Sequence, residues 1–413
     1  MKDTFQHLTE WAAMINHIGP FGSFIEIGTY KGGTFSDLAS RCQGKKISID
    51  LCIGPFGGIG KIKSVERNTR LKATYTDAYF IEGDSKKIET VMRLNEILKG
   101  EKVDFLFIDA DHSYHGVLCD YMIYRQFVKQ DGFIAFHDIV DSEFHRKAGC
   151  YVSQLWEKLS GVSFIAPDNS DASPDAVAMG NKIWGGIGVI KNDFKERVHL
   201  FQVIHNQQSI DLCTANVGEY IPELILNTDN VNFENNVICR VYKEYKFGPT
   251  DFVGVTSPLV TVKTGLTIDA IVSACTKDID VLNYWNDAIC CLQVWDVNRR
   301  CSSNLNAAVN ELNSAKILPV DIFEKPWHVL YANFWVARNT IFGNYCKNYL
   351  LPAIGFFTGT KWAAWGNPKT GLLHRKKYYP VSVFAIEGLF GTFIANHKFR
   401  VKKLNNNLSC GLM

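Results

Sequence analysis

Five carboxylates, Glu26, Asp50, Asp84, Asp109 and Asp138, stand at or near the ends of five separate short apolar runs in the first third of the chain. Two of them have histidine neighbours: His112 follows Asp109 by three residues, and His137 directly precedes Asp138. Carboxylates beside imidazoles are the side chains of proton transfer and of divalent-cation binding. Two carboxylates completed by water and substrate oxygens suit Mg2+, which avoids all-protein cages, so Asp109, His137 and Asp138 are the candidate metal ligands. Asp111 and His112, directly after the fourth run, are the candidate catalytic bases, because an imidazole titrates near neutral pH. His115 lies one helical turn after His112 and shares its face if a helix starts at Ser113. His112, His115 and His137 would alternatively form a zinc site, although no Cys or acid completes the usual spacing. The purely structural alternative is that Asp109 and Asp138 cap helices or bond backbone amides, with His112 on a helix cap.

A glycine-rich turn accompanies these groups. Glu26-Ile27-Gly28-Thr29-Tyr30-Lys31-Gly32-Gly33-Thr34 ends the first run and opens a helix at Phe35. Glycines let the backbone approach a ligand, and a helix amino terminus favours negative charge. The dinucleotide fingerprint Gly-x-Gly-x-x-Gly is not met, because Tyr30 takes the second glycine position. Asp50 closes the second run 24 residues after Glu26, where an acid commonly accepts hydrogen bonds from ribose hydroxyls. With Gly83-Asp84-Ser85 at the third run, the pattern points to an adenosine-containing ligand.

An alternation of strands and helices must position these residues. The runs at 23–29, 46–50, 79–84, 103–109 and 132–138 are too short for helices and nearly continuous in apolar character, as strands buried on both faces are. Ser85–Leu98 (Ile88, Val91, Met92, Ile97) and Tyr114–Val128 (Val117, Leu118, Tyr121, Met122, Phe127) have helical spacing. The alternation predicts an α/β, doubly wound, Rossmann-like parallel sheet, with its ligand outside the carboxyl ends of the strands. A strand over Trp184–Ile190 closes this sheet, and Lys191-Asn192-Asp193 reads as a linker. The expected domains are therefore 1–193 and 194–413, the second opening on a strand at His199–His205. A single core rarely grows to this length.

The segments Glu26–Thr34, Asp50, Glu82-Gly83-Asp84-Ser85 and Phe107–Tyr114 (Phe-Ile-Asp-Ala-Asp-His-Ser-Tyr) resemble class I S-adenosylmethionine-dependent methyltransferases, over about the first half of the chain. The likeness is greatest to the branch with small O-methyltransferases, cephalosporin-hydroxylase-like proteins and macrolide-sugar methyltransferases. It implies S-adenosylmethionine as cofactor, held by Glu26, Gly28, Thr29, Tyr30, Gly32, Asp50, Gly83, Asp84, Ser85 and Asp109. Glu26 and Gly28 would lie near the methionine part, Asp50 would hold the ribose, and Asp84 and Ser85 would border the adenine. Some relatives use a divalent cation, Mg2+ among them, at acids on corresponding strand ends; His137 stands where a second acid often sits. Tyr30 departs from the glycine of many members. Methyl transfer from a sulfonium is an in-line displacement, so the protein mainly positions the acceptor and helps deprotonate it.

Between the second and third runs lies Ile53–Thr76, glycine-rich and then carrying Lys61, Lys63, Arg67 and Arg70. It reads either as a mobile flap over an acceptor or as a solvated amphipathic helix after a loop. In the second half, His199–His205, Tyr245–Gly265, Tyr331–Ala337 and Tyr378–Phe390 resemble sugar-transfer enzymes of surface-glycan synthesis, which implies a second α/β, GT-A-like domain with a nucleotide-sugar donor. Asp278-Ile279-Asp280 is the one Asp-x-Asp triplet there, and Asp251 is a further candidate. Trp285, Trp295, Trp327, Trp335, Trp362 and Trp365 would stack sugar rings or simply fill a core.

Composition narrows the class. Of 413 residues 46% are hydrophobic and 21% charged, which excludes a largely disordered chain. Lys and Arg number 44 against 42 acids, a net charge of +2, which disfavours a nucleic-acid binder. The start of the chain has no apolar signal core and no run is long enough to cross a membrane, so the expectation is a cytoplasmic protein with its twelve cysteines reduced. The expected function is an O-methyltransferase acting on a sugar or glycan hydroxyl, fused to a glycosyltransferase-like domain. The competing readings are a non-catalytic cofactor- or glycan-binding protein, a small-molecule methyltransferase without any glycan, and a zinc- or nicotinamide-dependent enzyme.

Overall fold

The computed structural model describes residues 6–53, 58–167, 185–193, 197–215, 217–229, 232–284, 302–321, 334–364, 366, 371–374 and 377–404. The chain divides into two compact units, Met1–Asp193 and Phe194–Met413.

The first unit is built on a seven-stranded sheet: β1 (Phe24–Ile27), β2 (Lys46–Asp50), β3 (Ala78–Glu82), β4 (Val103–Ile108), β5 (Val128–His137), β6 (Val162–Phe164) and β7 (Ile187–Lys191). Its order is β3-β2-β1-β4-β5-β7-β6. β1 to β5 run parallel, and β7 is antiparallel to both β5 and β6. The helices of this unit are α1 (Leu8–Ile18), α2 (Gly33–Arg41), α3 (Lys61–Thr74), α4 (Ile88–Leu98), α5 (Tyr114–Tyr124), α6 (Glu143–Ala148) and α7 (Val152–Trp156). Trp11, Met14 and Ile18 of α1 and Phe35 and Leu38 of α2 form one core with Phe24, Phe105 and Phe107 of the central strands. Fully burying each such side chain contributes roughly 1.5–3 kcal/mol, and that burial holds the carboxyl ends of β1 and β4 in fixed register.

The strand order reverses between β1 and β4, which is where a doubly wound sheet opens a crevice. Gly28 makes the close approach there. Its φ is +86°, and a Cβ on it would lie 1.9 Å from the carbonyl oxygen of Asp109, so a side chain is excluded. α5 starts on Ser113, whose hydroxyl accepts from the Gly116 amide at 3.0 Å.

Two elements differ from the sequence reading. The helix expected to run to Val128 stops at Tyr124, because Val128 already pairs with Val103 and β5 then bulges before Phe133 meets Phe105. Asp131, at φ +70°, turns the chain within that bulge. The Ile53–Thr76 stretch forms α3, which is docked: Arg67 and Leu71 are buried, and Leu71 lies against Gly32. Residues 54–57 of that stretch and Trp184 lie outside the described residues.

The second unit has a six-stranded sheet of β8 (Val198–Ile204), β9 (Glu223–Leu226), β10 (Phe252–Thr256), β11 (Val281–Asn283), β12 (Trp335–Arg338) and β15 (Val401–Lys403), with a separate hairpin β13 (Gly371–His374) and β14 (Lys377–Pro380). The order is β15-β11-β12-β10-β8-β9; β8 is parallel to β9 and β10, and β12 is antiparallel to β10 and β11. Trp335 stacks on Phe390 at 3.6 Å between ring centroids, and Trp362 is buried with its indole N–H on Glu311, so both belong to the core. Trp285, Trp295, Trp327, Trp365 and Tyr331 lie outside the described residues. Among the described residues, no cysteine forms a disulfide and no helix is long and apolar enough to cross a membrane.

Candidate functional site

A cavity of about 240 Å³ opens at the carboxyl ends of β1 to β4. Its walls combine apolar Ile27, Ile49, Leu51 and Ile53 with the carboxylates of Asp50, Asp84, Asp109 and Asp111. Gly28, Tyr30, Gly83 and Ser85 also line it, whereas Glu26, Thr29 and Gly32 do not. Apolar walls that sandwich a flat base, with carboxylates at the rim for hydroxyl and amine donors, fit an adenosine-containing cofactor.

Asp50 is built into this wall. Its Oδ2 accepts from the amides of Thr29 and Tyr30 and from Arg67, each at 2.9 Å, and its Oδ1 accepts from the Cys52 amide at 2.6 Å. Arg67 also donates to the Tyr30 carbonyl at 2.7 Å, so α3 braces the turn in which Tyr30 sits at a left-handed φ of +47°. A ribose hydroxyl would therefore find its acceptor on Oδ1 of Asp50.

Glu26 lies behind the wall, completely buried, and neither carboxylate oxygen has a hydrogen-bond partner of good geometry. Burial pushes its carboxyl up to about 8, against a moderating effect of the nearby Thr34 and Thr29 hydroxyls. Asp120 on α5 is likewise buried, beneath Ser85, and burial pushes it up to about 7.

Beside the cavity the ends of β4 and β5 bring together Asp109, His112, His137 and Asp138. His112 Nε2 lies 3.2 Å from Asp109 Oδ1 and 3.0 Å from Asp138 Oδ2. His137 Nδ1 lies 3.3 Å from Oδ1 of both Asp109 and Asp138. Burial works to discharge the histidines and carboxylates alike, but their mutual attraction outweighs it. Asp109 is held at about 2 and His112 pushed up to about 10; Asp138 lies well below the usual carboxylate range and His137 well above the imidazole range. The two carboxylates thus demand two positive charges, which two protons or one divalent cation would supply. These residues fit a divalent cation.

Asp111 does not join this cluster. It forms an ion pair with Lys86 across the cavity at 2.5 Å and accepts from the Ser113 amide and hydroxyl, so its carboxyl is held down and is not a free base. Gly116 makes this fold-back possible, since a Cβ there would meet Asp111 Cγ at 2.1 Å. His112 stands between Asp109 and Asp138, and these two carboxylates push its imidazole up to about 10 despite its burial. His115 turns towards Cys119 instead of the cluster.

Sequence reasoning missed Gln6, whose amide donates to Asp109 Oδ2 at 3.2 Å, and His145, whose Nε2 lies 3.4 Å from Asp138 Oδ1. Ser142 caps α6 and holds His145 Nδ1 at 2.8 Å; a serine three residues before a histidine, just after a strand-end acid, was the available signal. In the second unit Asp280 is engaged by Arg400 through both carboxylate oxygens, and Asp251 by His199 and the Gly248 amide. Neither is a free ligand.

Residues 25–139 match the model of a family described as a methyltransferase domain, which supports a methyltransferase domain in the first unit. A curated relative, uncharacterized protein R132 of Acanthamoeba polyphaga mimivirus, is 31% identical over 120 residues, 29% of this chain and 52% of that protein. The chain thus spans about half the length of the curated relative it matches. Among solved structures, the N-methyltransferase NodS from Bradyrhizobium japonicum WM9 aligns at 12% identity and a TM-score of 0.32, covering 46% of this chain and 94% of that one. The O-methyltransferase from Bacillus cereus in complex with SAH aligns at 16% identity and a TM-score of 0.33, covering 46% and 82%.

Proposed function

We propose that the first unit is an S-adenosylmethionine-dependent O-methyltransferase acting on a sugar or glycan hydroxyl. We further propose that the second unit is a glycosyltransferase-like α/β domain, the pair serving surface-glycan synthesis. The observation that carries the reading is the convergence of Asp109, His112, His137 and Asp138 on one point beside a cavity that Asp109 itself lines. The family match over residues 25–139 supports the methyltransferase part of this reading.

When bound, S-adenosylmethionine supplies an electrophilic methyl group, and a divalent cation at Asp109, His137 and Asp138 supplies the positive charge that acidifies an acceptor hydroxyl. The chain's own residues do the rest. Gly28 lets the β1 turn close on the β4 end, Asp50 offers Oδ1 to a ribose, and Asp84 and Ser85 border the base. Lys86 and Asp111 pin the β3 and β4 loops together, so the cofactor wall is fixed before the acceptor arrives. The glycan part of the proposal leans on the second unit, in which β8 is parallel to both β9 and β10; the carboxyl ends of such parallel strands are where an open α/β sheet takes its ligand.

Transfer of labelled methyl from S-adenosylmethionine to a panel of sugars, nucleotide sugars and catechols tests the reading. Labelling of sugar hydroxyls that is lost in Asp109→Ala is the expected result; labelling of the catechols alone would overturn the glycan assignment, and labelling of none would overturn the activity.

A further inference from the structure

The cluster at the ends of β4 and β5 contains two imidazoles as well as two carboxylates, and Mg2+ is a poor match to such a set. Mg2+ takes oxygen ligands at near-octahedral angles and keeps much of its water. Imidazole nitrogen favours the later first-row cations. We infer that this centre selects an imidazole-binding first-row cation, of the Zn2+ or Co2+ kind, over Mg2+, and that His112 is its fourth ligand. This rests on the reading of the site as a cation centre.

The spacing agrees. A cation about 2.0–2.2 Å from its nitrogen and oxygen donors holds neighbouring donors about 3.0–3.5 Å apart. The four measured separations within the cluster run from 3.0 to 3.3 Å. Each imidazole nitrogen also points between two carboxylates: His112 Nε2 faces Asp109 and Asp138, and so does His137 Nδ1.

The surroundings are those of a braced ligand set. Gln6 holds the second oxygen of Asp109, and His145, fixed by Ser142, stands against Asp138. Asp138 keeps a left-handed φ of +59°, an unfavourable backbone for a non-glycine residue, at the position that aims its carboxylate at the cluster. Asp138 also forms a second possible set with His145 and Cys150, which would bring in a thiolate. The two sets make opposite predictions.

The test uses full-length protein stripped with a chelator and dialysed against equimolar Mg2+, Mn2+, Co2+ and Zn2+, with bound metal counted by mass spectrometry. The expected result is one equivalent of later first-row cation per chain and no retained Mg2+. The Co2+ form should show visible ligand-field bands without a thiolate charge-transfer band. His112→Gln should weaken Zn2+ binding by at least about 100-fold, and Cys150→Ser should leave it within about threefold. Retention of Mg2+, retention of nothing, or loss in Cys150→Ser with binding kept in His112→Gln would each overturn the inference. If His112→Gln does not fold, the Co2+ spectrum of the unaltered protein decides. S-adenosylmethionine binding, measured on the same samples, reports separately on the methyltransferase reading, so the two can fail independently.

Discussion

Both units are α/β, and they treat their charges in opposite ways. In the second unit the acids are engaged singly: Asp280 pairs with Arg400, Asp251 lies against His199, and Asp269 accepts from the amides of Glu219 and Tyr220. In the first unit Asp109, Asp138, His112 and His137 are gathered at one spot, and Glu26 is completely buried with the uncharged Thr34 and Thr29 hydroxyls as its hydrogen-bonding neighbours. A fold alone does not specify chemistry. The two units thus differ in whether the strand ends of a parallel sheet spread their ionisable groups apart or gather them on one another.

The largest expected effect separates the two units. Asp138→Ala should lower methyl transfer by about 100–1,000-fold, whereas Asp280→Ala should leave it unchanged and lower stability by about 1 kcal/mol, since the Arg400 side of its pair is mostly exposed. Equal losses in both variants, measured by initial rates and thermal melting, would erase the contrast.

Arg67→Ala comes next. It leaves Asp50 without its charged partner in a nearly buried setting, so a loss of about 3 kcal/mol is expected in denaturant titration, with weaker cofactor binding. An unchanged unfolding midpoint would show that α3 does not brace the turn.

Glu26 gives a pH signature. Its carboxyl is pushed from an ordinary 4.5 up to about 8, so between those values the folded protein holds a proton that the unfolded chain releases. Stability contributed by the neutral form is therefore present at acid pH and declines as pH rises from about 4.5 towards 8, by at most about 5 kcal/mol. Glu26→Gln should flatten that decline, with the gain over the unaltered protein growing between pH 5 and pH 8.5. A parallel pair of melting-temperature curves would contradict it.

The smallest effect is Ser113→Ala, which removes the α5 cap and should lower stability by about 1 kcal/mol without altering the cation set.

The strand ends were legible because a strand buried on both faces leaves few polar positions, and the acids terminating such runs stand out. Gly28 was legible as a close approach for a similar reason, since only a glycine meets a neighbouring backbone at that distance. The extent of α5 was not, because Phe127 and Val128 satisfy helical spacing and strand pairing equally well, and only the bulge at Asp131 decides. Asp111 was read as a base because sequence shows proximity along the chain but not Lys86 arriving from another loop. Gln6 was hidden for the same reason, since it reaches the cluster from a segment far away in sequence, whereas His145 left only the weak local signal of Ser142 three residues before it. Arg67 looked like one cation in a solvated run, and its burial depends on where α3 docks.

The proposed function requires that the cavity at the carboxyl ends of β1 to β4 bind S-adenosylmethionine. Titration calorimetry of S-adenosylmethionine into the full-length protein and into Asp50→Ala measures this directly. The account predicts one site of micromolar affinity that weakens by at least tenfold in the variant; no heat of binding to the unaltered protein, with and without added divalent cation, would contradict it.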